Sequence, residues 1–260
     1  MLPGRRSRGR LAAAIALALT FASCGQTSPL DAVEANGVVV ETARTVVRST
    51  SLAGRSVRGR EIPCHVIGSG HDVCMIIATI HGDEAAGTPL VKALERHLMA
   101  HPELVASRRV VIVPVANPDG MARGRRTNVN GVDLNRNFPA ANFRGRRRHG
   151  EAPLSEPESR VLRGLIYRYA PSRVISIHQP VACIDWDGPA EDLAVAMAAA
   201  CDLPAKRIGS RPGSMGSWVG IDLGIPIITL ELPRSADRLD AAALWKEYGP
   251  MMLAAVTFDG

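Results

Sequence analysis

The apolar residues of this chain fall into short continuous runs, which alternate with stretches where apolar residues recur every three or four positions. The runs are rich in β-branched residues and predict strands, most of them buried. They are GVVVETARTVVRS, EIPCHVI, VCMIIATI, RRVVIVPVANPDG, RVISIH and GIPIITLELP. The helical spacing predicts helices at residues 84–100, 154–170, 190–201 and 235–256, the last of them interrupted near Pro250.

This alternation predicts an α/β fold: a single domain with a mixed, mostly parallel twisted sheet and helices on both faces. In such sheets, functional side chains collect beyond the carboxyl ends of the strands. Polar residues stand at these points in three places, and one carboxylate lies inside the last strand. These positions are His81 with Glu84, residues 117–120, His178 and Glu231. We therefore expect four separate segments to meet at one site.

The first 24 residues differ from the rest of the chain. MLPGRRSRGR carries four arginines and no acid, and the apolar stretch LAAAIALALTFAS is shorter than the roughly 20 residues that a spanning helix requires. This layout predicts a secretory signal, and FASCG is similar to a bacterial lipobox. We expect an exported, periplasmic or cell-envelope protein that is lipid-anchored at Cys24, with a tether at 25–50 and the main domain at 51–260. The alternatives are an uncut membrane anchor and an ordinary soluble export signal.

Export changes what the charges and cysteines imply. The chain has 31 basic and 25 acidic residues, and without the leader's four arginines the balance is 27 against 25, near +2 rather than +6. That balance gives no reason to expect a nucleic acid as partner. An oxidising compartment permits disulfides. Cys64 and Cys74 flank HVIGSGHDV, which predicts two strands around a Gly-rich turn, so we expect a cross-strand disulfide between them.

Two of the polar clusters contain residue types that bind metals. In HGDE, His81 and Glu84 stand three apart after a strand and can point at one centre, with Gly82 letting the backbone turn. A simpler role is also open, in which Asp83 or Glu84 caps the following helix. RVISIHQP adds His178, either as a third ligand or as a hydrogen-bonded core histidine. Catalytic zinc sites use three such protein ligands, so the set predicts a metal site.

Two further features point to the chemistry of a hydrolase. The loop RRTNVNGVDLNRNFP, residues 125–139, is dense in arginine and asparagine donors, and arginine matches the geometry of carboxylates and oxyanions. The alternative is that this loop only forms turns and that its arginines are exposed to solvent without a ligand. Glu231 lies inside the apolar strand IITLELP, where a carboxylate is costly unless it is paired or functional. It is a candidate general base; an exposed edge position or an arginine partner would be the simpler explanation.

The ordered set HGDE, NPDG, RTNVNGVDLNRNFP, SIH and TLELP resembles the zinc metallocarboxypeptidase family over about residues 50–258. HQPVACIDWDGPA and PGSMGSWVGIDLGIPIITLELP are most similar to the bacterial murein peptide amidases within it, which are γ-D-glutamyl-meso-diaminopimelate peptidases. The resemblance implies that residues 51–260 form a catalytic domain with one Zn²⁺ per chain. The implied zinc ligands are His81, Glu84 and His178.

The same resemblance implies the remaining catalytic roles. Glu231 corresponds to the general base, and Arg126 corresponds to the arginine that polarises the scissile carbonyl, with Arg125 as the neighbouring alternative. Asn135 and Arg136 correspond to the pair that holds the terminal carboxylate of the substrate. One feature departs from the pancreatic-type enzymes, which carry a tyrosine in a loop some twenty residues before the base. The three tyrosines of this chain lie outside that loop, KRIGSRPGSMGSW; they are Tyr167, Tyr169 and Tyr248.

The implied substrate is a murein-derived peptide. Asp185 or Asp187 in CIDWDG could pair with the side-chain ammonium of diaminopimelate, or could simply form a turn. FRGRRRHG, residues 143–150, is a basic run that either is solvated or attracts anionic wall peptides or lipid headgroups. The alternatives for the whole chain are a general zinc carboxypeptidase or deacylase, and a non-catalytic peptide-binding protein on the same scaffold.

Overall fold

Seven strands pair into one mixed sheet in the computed structural model, which describes residues 47–259. The strands are β1 (Arg48–Arg55), β2 (Glu61–Ile67), β3 (Asp72–Ala78), β4 (Arg108–Val113), β5 (Arg173–His178), β6 (Val181–Asp187) and β7 (Ile227–Pro233). Their order across the sheet is β1-β2-β4-β3-β5-β7-β6. The four central strands, β4-β3-β5-β7, are parallel, and β1, β2 and β6 pair antiparallel at the two edges. The predicted mixed sheet is confirmed; three of its six strand pairs are parallel, all at the centre, and the other three are antiparallel.

Helices cover both faces of this sheet, as the sequence predicts. They are α1 (Gly87–Ala100), α2 (Pro118–Met121), α3 (Pro157–Tyr169), α4 (Glu191–Ala198) and α5 (Ala241–Thr257), with a π-helix at Gly216–Asp222. One core packs α1, α4 and α5 against one face of the sheet, and a second packs α3 and the π-helix against the other. The helix α5 is continuous through Pro250, so the predicted interruption is wrong.

The predicted signal, Cys24 and most of the predicted tether lie outside the described residues. The sheet begins at Arg48, so the last three positions of the predicted tether, 48–50, belong to β1. Between residues 47 and 259, none of the helices combines the length and the apolar character that crossing a membrane requires.

The predicted disulfide between Cys64 and Cys74 is wrong. The sheet places β4 between their strands, β2 and β3, and strands two positions apart are separated by about 9–10 Å. The Cα atoms of a disulfide lie within about 7 Å. The two side chains also enter opposite cores, Cys64 on the α3 face and Cys74 on the α1 face. Both are free thiols, as are Cys183 and Cys201.

Candidate metal centre and catalytic cleft

The HGDE segment follows the carboxyl end of β3 and is held there by close packing. Thr79 has a φ of +52°, unfavourable for a β-branched residue, and its hydroxyl pairs with that of Thr88 at 2.8 Å. Gly82 does not use the left-handed region; a Cβ there would lie 2.0 Å from the backbone of Gly120. The glycine is therefore needed for close approach to α2, and not for the turn that the sequence predicts. The helix α1 begins only at Gly87 and has no side-chain cap, so the capping role for Asp83 or Glu84 is wrong.

The other two predicted residues come from adjacent parallel strands. His178 is the last residue of β5, and its register partner on β7 is Glu231. Partners in register project to the same side of a sheet, so both side chains face the site beyond β3. Glu231 is half-buried and lies on an interior strand, because β6 forms the edge. Its edge-strand explanation is therefore wrong, and no arginine pairs with it within the described residues.

Three ligand atoms converge at the centre of this site. His81 Nδ1 lies 2.8 Å from Glu84 Oε2 and 3.1 Å from His178 Nδ1, and the third side of the triangle, His178 Nδ1 to Glu84 Oε2, is 3.0 Å. Zinc bonds of about 2.0–2.1 Å in a tetrahedron put ligand atoms roughly 3.3 Å apart, so the triangle is of the right size. All three side chains are buried.

The hydrogen bonds around the triangle fix the ligand tautomer. His81 Nε2 contacts Asp133 Oδ1 at 2.9 Å, and a neutral imidazole carries only one proton. That proton is used at Nε2, so the Nδ1 lone pair faces the other two ligands. His178 Nε2 lies 3.0 Å from Ser176 Oγ, which can accept its proton and leave Nδ1 turned toward the other two ligands. The donor set and its support fit a divalent metal.

Sequence reasoning did not single out Asp133. Its Oδ2 accepts from Arg126 Nε at 3.2 Å, and its backbone turn is closed by a bond from Asn135 N to Oδ1. Burial would raise the pKa of Asp133, but the hydrogen bond with His81 and the charges of Arg126 and Arg136 hold it well below its usual range. The sequence does offer one signal for Asp133: it is the only acidic residue of GVDLNRN, a segment otherwise rich in hydrogen-bond donors.

Arg126 joins the candidate metal ligands to the open cleft. Its Nη1 donates to Glu84 Oε1 at 2.7 Å, on the oxygen that does not face the two histidines. Burial would raise the pKa of Glu84, but hydrogen bonds with His178 and His81 keep it well below its usual range. Arg126 lines the cavity over the metal triangle, whereas Arg125 does not. The geometry therefore favours Arg126 over its neighbour.

A cavity of about 170 Å³ opens beside the triangle. Asn135 and Arg136 line one wall, and Asn135 is fixed by its Oδ1, which accepts from Met215 N at 2.8 Å. Burial lowers the pKa of Arg136, and the nearby charges of Arg126 and Arg211 act in the same direction. This crowding of cations creates a site that a bound carboxylate would stabilise.

Asp185 and Asp187 line the same cavity from β6. They stand two apart on one strand, so both side chains project to one face, and both are buried. The turn explanation for these two residues is wrong. Asp185 Oδ1 accepts from Ile208 N at 2.7 Å, and a Cβ on Gly216 would lie 2.2 Å from Asp187 Oδ2. Burial raises the pKa of Asp187, and the neighbouring Asp185 adds to the shift.

Other predicted residues do not line the catalytic cavity. Asn117 and Asp119 of NPDG are structural: Asn117 Oδ1 caps α2 through Gly120 N, and Asp119 pairs with Arg60 at 2.6 Å. The three tyrosines lie on α3 and α5, and none lines the cavity. The arginines of the basic run are exposed; they are Arg144, Arg146, Arg147 and Arg148.

A His-Glu-His triangle with a glutamate alongside, at the carboxyl ends of central parallel strands, is the arrangement of a metallopeptidase. The zinc carboxypeptidase family model matches residues 39–188, and the chain belongs to that family. It is a zinc metallopeptidase.

Within the family, the chain is similar to murein peptide amidases. It is 40% identical to murein peptide amidase A of Escherichia coli K12 over 177 residues, covering 61% of this chain and 70% of the relative. With murein peptide amidase A of Vibrio campbellii the identity is 32% over 237 residues, 81% of this chain and 92% of the relative. The crystal structure of murein-tripeptide amidase from Escherichia coli O157 matches with a TM-score of 0.64 and 33% identity, covering 81% of this chain and 92% of that one.

Proposed function

We propose that this protein hydrolyses the γ-D-glutamyl-meso-diaminopimelate bond of murein peptides. The observation that carries the proposal is that the metal triangle adjoins a cavity whose lining includes both arginines and two carboxylates; they are Arg126, Arg136, Arg211, Asp185 and Asp187. Similarity to proteins named murein peptide amidase A supports the same substrate class.

The metal would be held by His81, Glu84 and His178. Zinc in such a site lowers the pKa of a bound water and polarises a carbonyl. Glu231, which is in register with His178 and lines the same cavity, would take a proton from the attacking water and pass it to the leaving amine.

Arg126 would stabilise the developing oxyanion. Its guanidinium carries five N–H groups, of which two are used by Glu84 and Asp133, so others remain for substrate. Because these two bonds fix the group before substrate arrives, it needs little reorganisation in the transition state. Losing one such donor costs about 10²- to 10³-fold in rate.

The cavity would set the register of the substrate. In L-Ala-γ-D-Glu-meso-diaminopimelate, the last residue has a free carboxylate beside the scissile amide, and Arg136 with Asn135 would bind it. The side chain of that residue carries an ammonium. Asp185 and Asp187 lie in the same cavity, and the ammonium would pair with them. Burial and the neighbouring Asp185 raise the pKa of Asp187, and a bound cation would act against this shift.

We also propose that the protein acts outside the cytoplasm, in the periplasm or cell envelope, anchored through a lipid at Cys24. The basic, apolar and FASCG segments of the leader support this. Metabolic labelling with a fatty acid tests it: label should appear in the wild type and be absent from a Cys24→Ala variant. Label retained in that variant would contradict the anchor.

Digestion of the tripeptide tests the activity. Wild-type protein should release free meso-diaminopimelate, and Glu231→Gln should bind zinc equally well but release none. An α-linked peptide with a C-terminal apolar residue serves as the comparison substrate. Preferential cleavage of that peptide would indicate a general carboxypeptidase, and a wild-type protein that takes up no zinc would indicate a non-catalytic binding protein.

Asp185→Asn and Asp187→Asn test the ammonium pairing separately. Each should reduce the preference for diaminopimelate over a residue with an uncharged side chain, while release of product continues. If both variants keep the wild-type preference, neither carboxylate recognises the ammonium.

A further inference from the structure

A second depression of about 520 Å³ lies next to the catalytic cavity. Four of its lining residues are arginines, and we call it the arginine depression; they are Arg125, Arg126, Arg147 and Arg148. Asp83 is its one acidic lining residue. Arg126 also lines the catalytic cavity, so the two spaces meet at the residue that contacts metal ligand Glu84.

Three of these arginines have side chains that are available to a ligand. Arg125, Arg147 and Arg148 are exposed, and within residues 47–259 none of their guanidinium groups has a hydrogen-bond or ion-pair partner. One carboxylate, Asp83, does not balance three free cations. The depression is therefore a strongly positive surface with unused donors.

The backbones that carry these arginines are fixed to the metal site. The carbonyl of Arg148 accepts from Asp133 N at 2.8 Å, and Asp133 is the residue that contacts His81. The next residue, His149, has its carbonyl bound by Asn137 Nδ2 at 2.8 Å. On the other side, Arg125 N donates to the carbonyl of Gly120, against which Gly82 packs. The cations thus project from backbone held in a set position relative to the metal triangle.

The depression shares Arg126 with the catalytic cavity but does not include Asn135 or Arg136, the pair proposed to bind the terminal carboxylate. Arg136, Asn135 and His178 line the catalytic cavity and are absent from the lining of the depression. For a substrate whose leaving amine faces Arg136 and whose carbonyl meets Arg126, the depression is an adjoining space beyond Arg126 that the acyl side would reach.

We propose that the arginine depression binds an anionic group on the acyl side of the scissile bond, namely the free α-carboxylate of a γ-linked glutamyl residue. This inference rests on the proposed function. A γ-linked residue continues the chain through its side-chain carboxyl, so its α-carboxylate stays free and charged. It lies four bonds from the scissile carbon, about 5 Å in extended form. A residue without this carboxylate, such as an uncharged α-linked residue or the α-amide, offers no charge at that place, so the depression would select an acidic residue on the acyl side.

Binding to a catalytically inactive protein tests the inference independently of turnover. Calorimetry with Glu231→Gln should show that L-Ala-γ-D-Glu-meso-diaminopimelate binds more tightly than its α-amide, the D-isoglutaminyl peptide. Adding Arg147→Gln and Arg148→Gln should lower this acid-to-amide ratio of affinities by about 3- to 10-fold, as expected for two exposed charge contacts. Salt should lower the ratio in the parent protein.

A matched control removes two charges elsewhere. Lys92 and Arg96 are exposed on α1 and line a different depression, so Lys92→Gln with Arg96→Gln changes net charge equally. This control should keep the acid-to-amide ratio of the parent. The inference is overturned if the parent binds neither peptide, if it binds both equally, or if the control lowers the ratio as much as the arginine variant.

The proposed function is judged by a separate measurement, release of meso-diaminopimelate by wild-type protein. Release with an unchanged binding ratio in the arginine variant would refute the role of the depression and leave the function standing. A ratio that depends on Arg147 and Arg148 without any release would refute the function and leave the anion site standing.

Discussion

Asp133 offers the sharpest test of how the metal centre is built. Its carboxylate contacts His81 Nε2 at 2.9 Å and Arg126 Nε at 3.2 Å, and its side chain is only 12% exposed. Partners that orient a ligating histidine are typically worth 10- to 100-fold in metal affinity. At about 1.4 kcal/mol for each factor of ten, that is about 1.4–2.8 kcal/mol of zinc binding.

The two substitutions at this position should differ in size. In Asp133→Asn, the amide oxygen can still accept from His81, so the loss should come from the missing charge and lie near tenfold. In Asp133→Ala, the acceptor is also lost, the Nδ1 tautomer of the metal ligand is no longer fixed, and the loss should approach 100-fold. Zinc affinity is measured by competition with a chromogenic chelator, with circular dichroism to confirm that both variants are folded.

Asp83→Asn is the matched control for charge alone. Asp83 is exposed beside the candidate ligand Glu84 and is not among the hydrogen-bond partners of His81 in the described residues. It should change zinc affinity by less than about twofold, the range of a weak exposed interaction. Affinities within twofold of wild type for both Asp133 variants would refute the reasoning, and so would an equal loss in Asp83→Asn, which would assign the effect to bulk charge.

Three further predictions concern the fold. Arg173 is buried, pairs with Asp72 at 2.7 Å and donates to two carbonyls at the end of α5, so Arg173→Leu should reduce the free energy of unfolding by about 3 kcal/mol in urea titrations. Burial would raise the pKa of Asp72, but hydrogen bonds from Arg173 lower it. The contribution of the Asp72 pair is therefore complete above the unfolded pKa of about 3.9 and is lost as the pH falls through the lower pKa of the folded protein. The difference in free energy of unfolding between wild type and variant should shrink in acid, and a difference that grows would contradict the pairing. Gly82→Ala should force the HGDE turn away from the neighbouring loop and reduce both zinc affinity and thermal stability, whereas unchanged zinc affinity would show that the close approach is not needed. In the folded protein without reductant, a maleimide should label half-buried Cys201 before the three buried cysteines, Cys64, Cys74 and Cys183. After unfolding, all four should be labelled, and a pair that stays unlabelled would reveal a disulfide.

Most strands and helices were predictable because their apolar patterns are local. The strands β2 and β5 coincide with EIPCHVI and RVISIH, since continuous apolar runs bounded by polar residues define a buried strand. The edge strand β6 was missed. It carries two buried aspartates among apolar residues, and that pattern is explained only by the cavity that Asp185 and Asp187 face.

Pairing between strands was less accessible than the strands themselves. The disulfide prediction assumed that β2 and β3 are neighbours because they are consecutive in sequence. The sheet instead inserts β4 between them, since the parallel pairing of β3 with β4 requires a crossover that α1 supplies. Strand order is a property of the whole sheet, and neither Cys64 nor Cys74 carries information about it.

The positions of the candidate metal ligands could be predicted from the sequence, whereas the residue that supports them could not. Parallel strands bring their carboxyl ends to one edge, so a polar residue at the end of an apolar run already predicts where His81 and His178 lie. Asp133 follows no strand, and its contact with His81 spans 52 positions through a loop whose course depends on Arg148 and Asn137. The arginine depression has the same origin, because it forms only where that loop meets the segment around Arg125. The features that would set metal affinity and substrate choice thus lie in contacts between loops, which is why variants at Asp133 and at Arg147 with Arg148 test the structure more directly than variants at the ligands.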